Sequence, residues 1–290
     1  MNKKIKYFFE FLIIYLISIL LSLLPINVVS YLGGSIFKFF GPFTRSNIIA
    51  KKNYLKIFPK ADKKIFKKDI LGSWDNLGKT IFELLILPKI IRNSKNKIKI
   101  EGNENIKELI SLKKNCIFVG IHQSNWELIV PTIDKLGFNV SAVYRHINNP
   151  YIDNLVLKKR SKSIFRKKSH YTPKGKKSAI DIIKAAKNNN SILVIIDQKD
   201  SAGESILFFG KKVKTQTGFL KIAKKNNMSI VPIENTRNGL NNFTLKFHKS
   251  IKISETNFNT VNEMQKIHII IEEWIKKNPS NWFLQHNRFG

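Results

Sequence analysis

Short apolar runs alternate with stretches of helical periodicity across the second half of the chain. Because the runs are apolar and β-branched over most of their length, they indicate strands that are buried on both faces. The stretches between them carry apolar residues at helical spacing. This alternation predicts an α/β fold, a sheet with helices on both faces. The predicted strands are residues 115–121, 139–144, 191–197, 228–233 and 243–248, and the predicted helices are 126–136, 150–159, 175–188, 216–226 and 261–277.

Residues from about 45 to 95 precede this alternation and have the pattern of helices broken near Pro59. Proline ends or kinks a helix because it lacks an N–H donor. We find no internal repeat and no linker rich in Pro, Gly or Ser. We therefore predict an N-terminal anchor over residues 1–25 and one domain over 26–290, whose α/β core occupies about 100–290.

The N-terminal segment is the longest apolar stretch in the chain. It runs for 18 residues from Tyr7 to Leu24, and its only charge is Glu10. As a helix it would span about 27 Å, slightly less than the hydrocarbon core of a bilayer, roughly 30 Å. A cleaved signal peptide is the alternative, but the run is long for one and no A-x-A cleavage pattern follows. We predict a retained membrane helix, and lysines near both ends leave open whether it crosses the bilayer or lies in one leaflet.

The composition is strongly basic, with 51 Lys+Arg against 20 Asp+Glu and a formal net charge of +31. This excess favours anionic partners. Ten of the basic residues, and no acidic one, lie between Asp153 and Asp181. Few aromatics are interleaved with them and no nucleic-acid motif is present, so we predict no nucleic-acid partner. The single cysteine, Cys116, excludes an internal disulfide and is predicted to be a buried core residue.

The sequence GIHQSNWELI, residues 120–129, directly follows a predicted strand. His122 would lie in the turn after the strand, and Glu127 in the first turn of the next helix. Sites in α/β sheets commonly lie at this end of the strands. A carboxylate that holds one imidazole nitrogen makes the other nitrogen a better base. We therefore predict a pairing of His122 with Glu127, although chance pairs at this spacing are common.

Polar residues also follow the other predicted strands. Their positions at the same end of the sheet predict a shared rim, and arginine there could grip phosphate or carboxylate. No second His or Cys stands at ligand spacing, so we predict no metal and no cofactor. The residues at the strand ends are Arg145, Asp197, Gln198, Glu234 and Arg237.

Several ordered blocks of the chain resemble one known family, the bacterial lipid A biosynthesis acyltransferases of the lauroyl/myristoyl type, related to the glycerolipid acyltransferases. The blocks are NYLKIFP, HQSNWE, YRHINNPYID, DQ followed by FFGKKVKTQTG, VPIENTR and the closing NPSNWFLQHNRFG. With the apolar N-terminus included, the resemblance extends from about residue 10 to the end of the chain. Ser124 stands where the family usually has glycine, and His146 where proline usually follows Arg145.

The resemblance implies a mixed sheet flanked by helices and an acyl transfer from a thioester to a hydroxyl group. His122 would be the general base and Glu127 its orienting partner. Arg145 and Arg237 would hold phosphate or pantetheine groups. The residues that the resemblance assigns to substrate binding are Asn125, Arg145, Asn149, Arg160, Asp197, Gln198 and Arg237.

The implied acyl donor is acyl carrier protein or acyl-CoA, and the implied acceptor is an anionic glycolipid, a lipid A precursor or a related molecule. The expected location is the inner (cytoplasmic) membrane, with the catalytic domain on the cytoplasmic side. Two alternatives stay open at this stage. One is a lysophospholipid acyltransferase, and the other is a membrane-tethered basic binding module without enzymatic activity.

Overall fold

The computed structural model describes residues 3–173, 176–254 and 256–290. Helices and strands alternate along most of this length. The helices are α1 (Lys3–Leu23), α2 (Ile26–Phe40), α3 (Arg45–Ile57), α4 (Lys63–Leu85), α5 (Leu87–Arg92), α6 (Glu104–Ser111), α7 (Ile129–Lys135), α8 (Pro150–Ser161), α9 (Lys176–Lys187), α10 (Gly218–Lys225) and α11 (Thr260–Lys277). The strands are β1 (Ile98–Glu101), β2 (Cys116–Gly120), β3 (Val140–Tyr144), β4 (His170–Pro173), β5 (Ser191–Ile195), β6 (Glu204–Phe208), β7 (Lys211–Thr215), β8 (Ser229–Arg237) and β9 (Phe243–Phe247).

Seven strands form one mixed sheet in the order β1-β9-β8-β2-β5-β3-β4. Neighbouring strands are parallel except β8 and β9, which pair antiparallel. All five residues of the central strand β2 are buried, because helices cover both faces of the sheet. Strands β6 and β7 form a separate antiparallel hairpin.

The predicted fold class is confirmed, and each of the five predicted strands is present. The predicted helices are also present, and the break near Pro59 separates α3 from α4. Residue 175, where one predicted helix begins, lies outside the described residues, and that helix is described from Lys176. Strands β1 and β4 and the β6–β7 hairpin were not predicted. The proposed division at residue 25 stays a prediction.

Two apolar clusters fill the space on either side of the sheet. One includes residues of α4, α10, α11 and the C-terminal segment, and the other includes residues of α5, α7 and the first two helices. Cys116 is fully buried, as predicted. Burial raises the pKa of its thiol well above the usual value, which disfavours a thiolate nucleophile.

The first two helices carry much of the exposed apolar surface. α1 is the one helix among the described residues that is long and apolar enough to cross a membrane. α2 packs closely on α4 through Gly33 and Gly78, where a Cβ on either glycine would come within 2.5 Å of the other's carbonyl oxygen. Beyond this contact, Phe39, Phe40 and Phe43 are exposed at 60% or more. Such a patch is typical of a membrane or partner contact.

Candidate active site

The turn after β2 carries His122 and is held in place by the C-terminal segment. The backbone N–H of Phe283 donates to the carbonyl oxygen of His122 at 2.9 Å, and the N–H of Ser124 donates to the carbonyl of Asn281 at 2.8 Å. Ser124 has a φ of 52°, in the left-handed region that favours glycine. This conformation explains why the family motif has glycine at the same position.

Asp197 is the carboxylate that holds His122. Its Oδ1 lies 2.7 Å from Nδ1 of His122, and its Oδ2 accepts from the backbone N–H of His122 at 3.0 Å. The indole N–H of Trp282 donates to the same Oδ2 at 2.7 Å. Burial opposes ionisation of Asp197, but His122 and these hydrogen bonds outweigh it and the pKa of the carboxyl lies below its usual value. An ionised Asp197 fixes the imidazole proton on Nδ1 and leaves Nε2 as the basic nitrogen.

The basic nitrogen of His122 lies in a partly open niche with aromatic walls. The ring centre of Trp126 is 5.0 Å from that of His122, and the ring centre of Phe283 is 6.0 Å away. The side-chain nitrogen of Gln198 lies 3.4 Å from Nε2. The His122 side chain retains 18% exposure, so a small group can reach Nε2.

Glu127 does not occupy the orienting position that the sequence predicted for it. Its two carboxylate oxygens accept from Nε and Nη2 of Arg160 at 2.8 and 2.7 Å, and the indole N–H of Trp126 donates to Oε1 at 3.1 Å. The predicted pairing with His122 is therefore corrected to His122–Asp197. The reason is that Glu127 lies in the helical turn that faces α8, whereas Asp197 lies two residues past the end of the neighbouring strand β5. A catalytic role for Glu127 stays a prediction.

Arg160 is enclosed by this contact and by two aromatic rings. Its guanidinium lies 5.6 Å from the ring centre of Tyr144 and 5.8 Å from that of Tyr171. The carboxylate takes two of its five N–H donors, and both rings lie within 6 Å of the guanidinium. The structure therefore gives Arg160 a partner inside the protein, and the predicted contact with substrate stays untested.

Asn125 and Arg237 meet at a second buried carboxylate, Glu83 of α4. Arg237 donates through Nη1 and Nη2 to the two oxygens of Glu83 at 2.7 and 2.9 Å, and Asn125 donates to Oε2 at 2.7 Å. Ser30 of α2 donates to Oε1 at 2.6 Å. The exposed fraction of the Arg237 side chain is 5%, and that of Glu83 is zero. Both side chains therefore have a structural contact inside the protein, and their predicted contact with substrate stays a prediction.

The remaining predicted residues, Arg145 and Asn149, lie at either end of one loop. Asn149 is the N-cap of α8, accepting from the backbone N–H of Tyr151 at 3.1 Å, and it donates to the carbonyl of Tyr7 and to Glu10 in α1. This buried side chain therefore joins two helices, and its predicted contact with substrate stays a prediction. Arg145 is exposed after β3, where it can reach a ligand.

No group of three or more His, Cys, Asp or Glu side chains that could hold a metal ion is present within residues 3–173, 176–254 and 256–290. The arrangement around His122 is that of a general base. A fixed imidazole with a basic Nε2 can take a proton from a hydroxyl group and return it to a leaving group.

The comparison with protein families decides between the reaction classes. The family model described as bacterial lipid A biosynthesis acyltransferase matches residues 2–290. The chain belongs to that family. It is an acyltransferase, as the ordered motifs indicated.

A solved structure similar to this acyltransferase is the 1-acyl-sn-glycerophosphate (LPA) acyltransferase PlsC from Thermotoga maritima. The two are 15% identical, the TM-score is 0.42, and the alignment covers 89% of this chain and 96% of that chain. A search of curated proteins found no significant match. The family membership therefore rests on the family model alone.

Three residues around the acyltransferase site were not predicted, because the sequence analysis looked for polar residues at the ends of strands. Glu83 is on a helix that precedes the sheet, and Trp282 and Arg288 are in the C-terminal segment. Arg288 is 1% exposed and donates to the carbonyl oxygens of Gln198 at 3.1 Å and Lys214 at 2.8 Å. Burial lowers the pKa of Arg288 to about 10, against the opposing effect of Asp197. The closing motif, which includes both Trp282 and Arg288, was the only sequence signal for these contacts.

Proposed function

We propose that this acyltransferase moves a fatty acyl chain from acyl carrier protein, or from acyl-CoA, to a hydroxyl group of a lipid A precursor or related glycolipid. The observation that carries the proposal is the His122–Asp197 pair. It lies at the carboxyl end of two central strands in a chain of the lipid A acyltransferase family.

His122 acts as the general base in this proposal. Its Nε2 takes the proton of the acceptor hydroxyl as the oxygen attacks the thioester carbonyl carbon. A positioned base of this kind contributes about 10²–10⁴-fold to the rate. Asp197 keeps the imidazole in the required tautomer and stabilises the imidazolium that forms.

Two arginines near the site have different proposed roles. Exposed Arg145 binds a phosphate group of the acceptor or of the donor's pantetheine arm, since a guanidinium matches phosphate in geometry and charge. Arg160 and Glu127 form a fixed ion pair next to Trp126, one wall of the niche around His122. Glu127 therefore supports catalysis through the shape of the turn rather than through the imidazole.

The proposed location is the inner membrane, with the catalytic domain on the cytoplasmic side. α1 is hydrogen-bonded to the domain near both ends, by Asn149 to Tyr7 and by Lys89 to the carbonyls of Ser22 and Leu24. A helix held near both ends against one domain lies in one leaflet more easily than across the bilayer. Exposed aromatic residues of α2 extend the same apolar surface.

Membrane attachment is tested by washing membranes that contain the full-length protein in alkaline carbonate. The apolar surface of α1 and α2 should keep the protein in the pellet, and detergent should release it. Release by carbonate alone would contradict the proposed attachment. A protease-accessible tag on residue 2 should stay on the cytoplasmic side, because α1 does not cross.

The basic segment after α8 is the proposed docking surface for acidic carrier protein. Arg166, Lys167 and Lys168 are exposed, and Arg166 and Lys167 border an open cavity of about 400 Å³. Acyl carrier protein offers acidic residues that a cationic surface attracts at long range. Residues 174 and 175 of the predicted segment lie outside the described residues.

Lipid mass spectrometry tests the proposed function. Lipid A and phospholipids are compared in cells with the protein, without it, and with His122→Ala. The proposal expects one lipid A species to gain a fatty acyl chain only in cells with the active protein. A mass gain confined to phospholipids would support the lysophospholipid alternative, and no lipid change would overturn the proposal.

A further inference from the structure

The side-chain amide of Gln198 faces the basic nitrogen of His122. The amide nitrogen lies 3.4 Å from Nε2 of the imidazole. Because Asp197 holds the imidazole proton on Nδ1, Nε2 is the acceptor in this contact and the amide of Gln198 is the donor. The distance is longer than the usual hydrogen-bond range of about 2.7–3.2 Å. The amide is therefore held weakly at Nε2, and an incoming group can replace it.

The backbone on both sides of the Gln198 side chain is fixed. The carbonyl oxygen of Gln198 accepts from the buried guanidinium of Arg288 at 3.1 Å. The backbone N–H of the next residue, Lys199, donates to Nε2 of His286 at 3.0 Å. The side chain of Gln198 is itself partly exposed. It can therefore rotate about its own bonds while its attachment point stays beside the base.

The other side chains around Nε2 offer no free donor. Trp126 and Phe283 present aromatic rings to His122, and the indole N–H of Trp126 donates to Glu127. Within residues 3–173, 176–254 and 256–290, Gln198 is the one side chain in hydrogen-bond contact with Nε2 of His122. The amide also has a second N–H, which has no partner among these residues. The structure therefore places a neutral donor directly at the reacting nitrogen.

The reaction brings a new oxygen to the position that the amide contacts. An acceptor hydroxyl must lie about 2.6–3.2 Å from Nε2 to give up its proton, so it takes the lone pair that Gln198 now uses. The amide N–H is then released. In the tetrahedral intermediate, the oxygen of the former carbonyl is two covalent bonds from the attacking oxygen. An amide nitrogen that starts 3.4 Å from Nε2 reaches this oxygen by a small rotation of its side chain.

We propose that the side-chain amide of Gln198 donates a hydrogen bond to the carbonyl oxygen of the acyl thioester and stabilises the oxyanion formed there. The proposal rests on the proposed function. As the acceptor oxygen bonds to the carbonyl carbon, its proton passes to Nε2 of His122 and the carbonyl oxygen gains negative charge beside Gln198. Collapse breaks the carbon–sulfur bond, and the thiolate takes the proton from Nε2. Gln198 is then a catalytic residue that gives up no proton.

Two variants remove the donor in different ways. Gln198→Met keeps the approximate length of the side chain and leaves Nε2 of His122 uncovered. Gln198→Ala removes the side chain at a partly exposed position, where solvent can fill the space. The matched control is Gln265→Met. Gln265 donates to the carbonyl oxygen of Leu207 at 3.2 Å and accepts from its backbone N–H at 3.1 Å, so the control loses amide contacts that do not involve His122.

The variants are assayed as purified protein in detergent, with saturated fatty acyl thioesters of carrier protein and of CoA as donors. Loss of one oxyanion donor typically lowers kcat by about 10²–10³-fold, and we expect a loss of this order in Gln198→Met. Gln198→Ala should lose at least about tenfold, because a water molecule replaces the donor less well. The KM values for donor and acceptor should change little, because the oxyanion exists only after attack. Gln265→Met should keep kcat within a few-fold of wild type.

A thioether analogue of the acyl-CoA donor, with a methylene group in place of the carbonyl, checks that the site itself is unchanged. Its affinity for Gln198→Met, measured by calorimetry, should equal that for wild type within a few-fold, because the analogue has no carbonyl oxygen for the amide to bind. Much weaker binding would show that the substitution disrupts the donor site, and would overturn the proposal.

Unchanged or higher kcat in both Gln198 variants would show that the amide only covers the base in the resting protein, and would overturn the proposal. A raised KM for the acceptor with unchanged kcat would assign the amide to the acceptor hydroxyl and overturn it as well. Loss of folding in both variants by thermal melting would assign Gln198 a structural role instead. A wild-type protein that transfers from neither donor would refute the proposed function, so the two failures are distinguishable.

Discussion

Replacement of Asp197 by asparagine tests the tautomer assigned to His122. Oδ2 of Asp197 accepts two hydrogen bonds, from the backbone N–H of His122 and from Trp282. The single amide oxygen of asparagine will take this place, because an NH₂ group there would face two donors. The amide nitrogen then faces Nδ1 of His122 in place of Oδ1. The imidazole must accept at Nδ1, its proton moves to Nε2, and the base is lost.

The expected loss is large in rate and moderate in stability. Turnover should fall by about 10²–10⁴-fold, the contribution of a general base. The variant reverses the hydrogen bond to Nδ1 and loses the carboxylate's charge, and one charge-assisted bond contributes about 1.5–3 kcal/mol. At about 2–4 °C per kcal/mol, Tm should fall by no more than roughly 12 °C.

The pH dependence of stability provides a second readout. The pKa of Asp197 is lowered in the folded protein, so its ionised form stabilises the fold above the unfolded pKa, near 3.9. This stability is lost as the pH falls through the folded pKa. Asp197→Asn should therefore reduce the acid-induced loss of stability below about pH 4.

The assay is acyl transfer by purified protein, with Asp153→Asn as the matched control. Asp153 holds Nδ1 of His146 at 2.6 Å and a backbone N–H at 2.9 Å, a similar pair away from the base. The control should lose stability and keep turnover within a few-fold. Near-wild-type turnover in a normally folded Asp197→Asn protein would refute the assignment of Nε2 as the base.

Three further predictions follow from other contacts. Ser124→Gly should raise Tm by a few degrees, because it removes a serine with a left-handed backbone conformation and a buried, unpartnered hydroxyl. A lower Tm would contradict the inference that the backbone at Ser124 is strained. Glu127→Gln should lower stability by about 3–5 kcal/mol, because Arg160 is left without its charge partner, and should reduce turnover less than His122→Ala does; unchanged melting would contradict the ion pair. Serine at all three positions 166–168 should raise the donor KM at low salt more than it lowers kcat, unlike serine at the exposed lysines 107, 114 and 225 outside that segment. An unchanged KM would contradict the docking role.

The core strands were predictable because buried strands have a strong local signal. β2, β5 and the first half of β8 are mostly apolar, and polar residues follow these apolar runs. The choice of partner for His122 was not predictable, since it depends on strand order. β2 pairs with β5 so that Gly120 faces Ile195, and the same register brings His122 level with Asp197. Glu127, five positions from His122, was the nearer candidate only along the chain.

Contacts between distant segments had no local signal either. Arg160 meets Glu127 across 33 positions, and Trp282 meets Asp197 across 85. The β6–β7 hairpin was missed because lysines occupy much of β7, although its turn at Phe209 and Gly210, both with positive φ, is typical of a tight hairpin. Its apolar side chains, such as Phe208, are buried against the C-terminal segment and α11 only in the folded protein.

The central claim is that this chain transfers an acyl group with His122 as the base. The most direct measurement is mass spectrometry of the products formed by purified wild-type and His122→Ala proteins from fatty acyl carrier protein and a lipid A precursor. Wild type should produce the precursor plus one acyl chain, with release of the carrier thiol. His122→Ala should melt within a few degrees of wild type and produce almost none. Equal product from a folded His122→Ala protein, or no product from wild type with either thioester donor, would contradict the account.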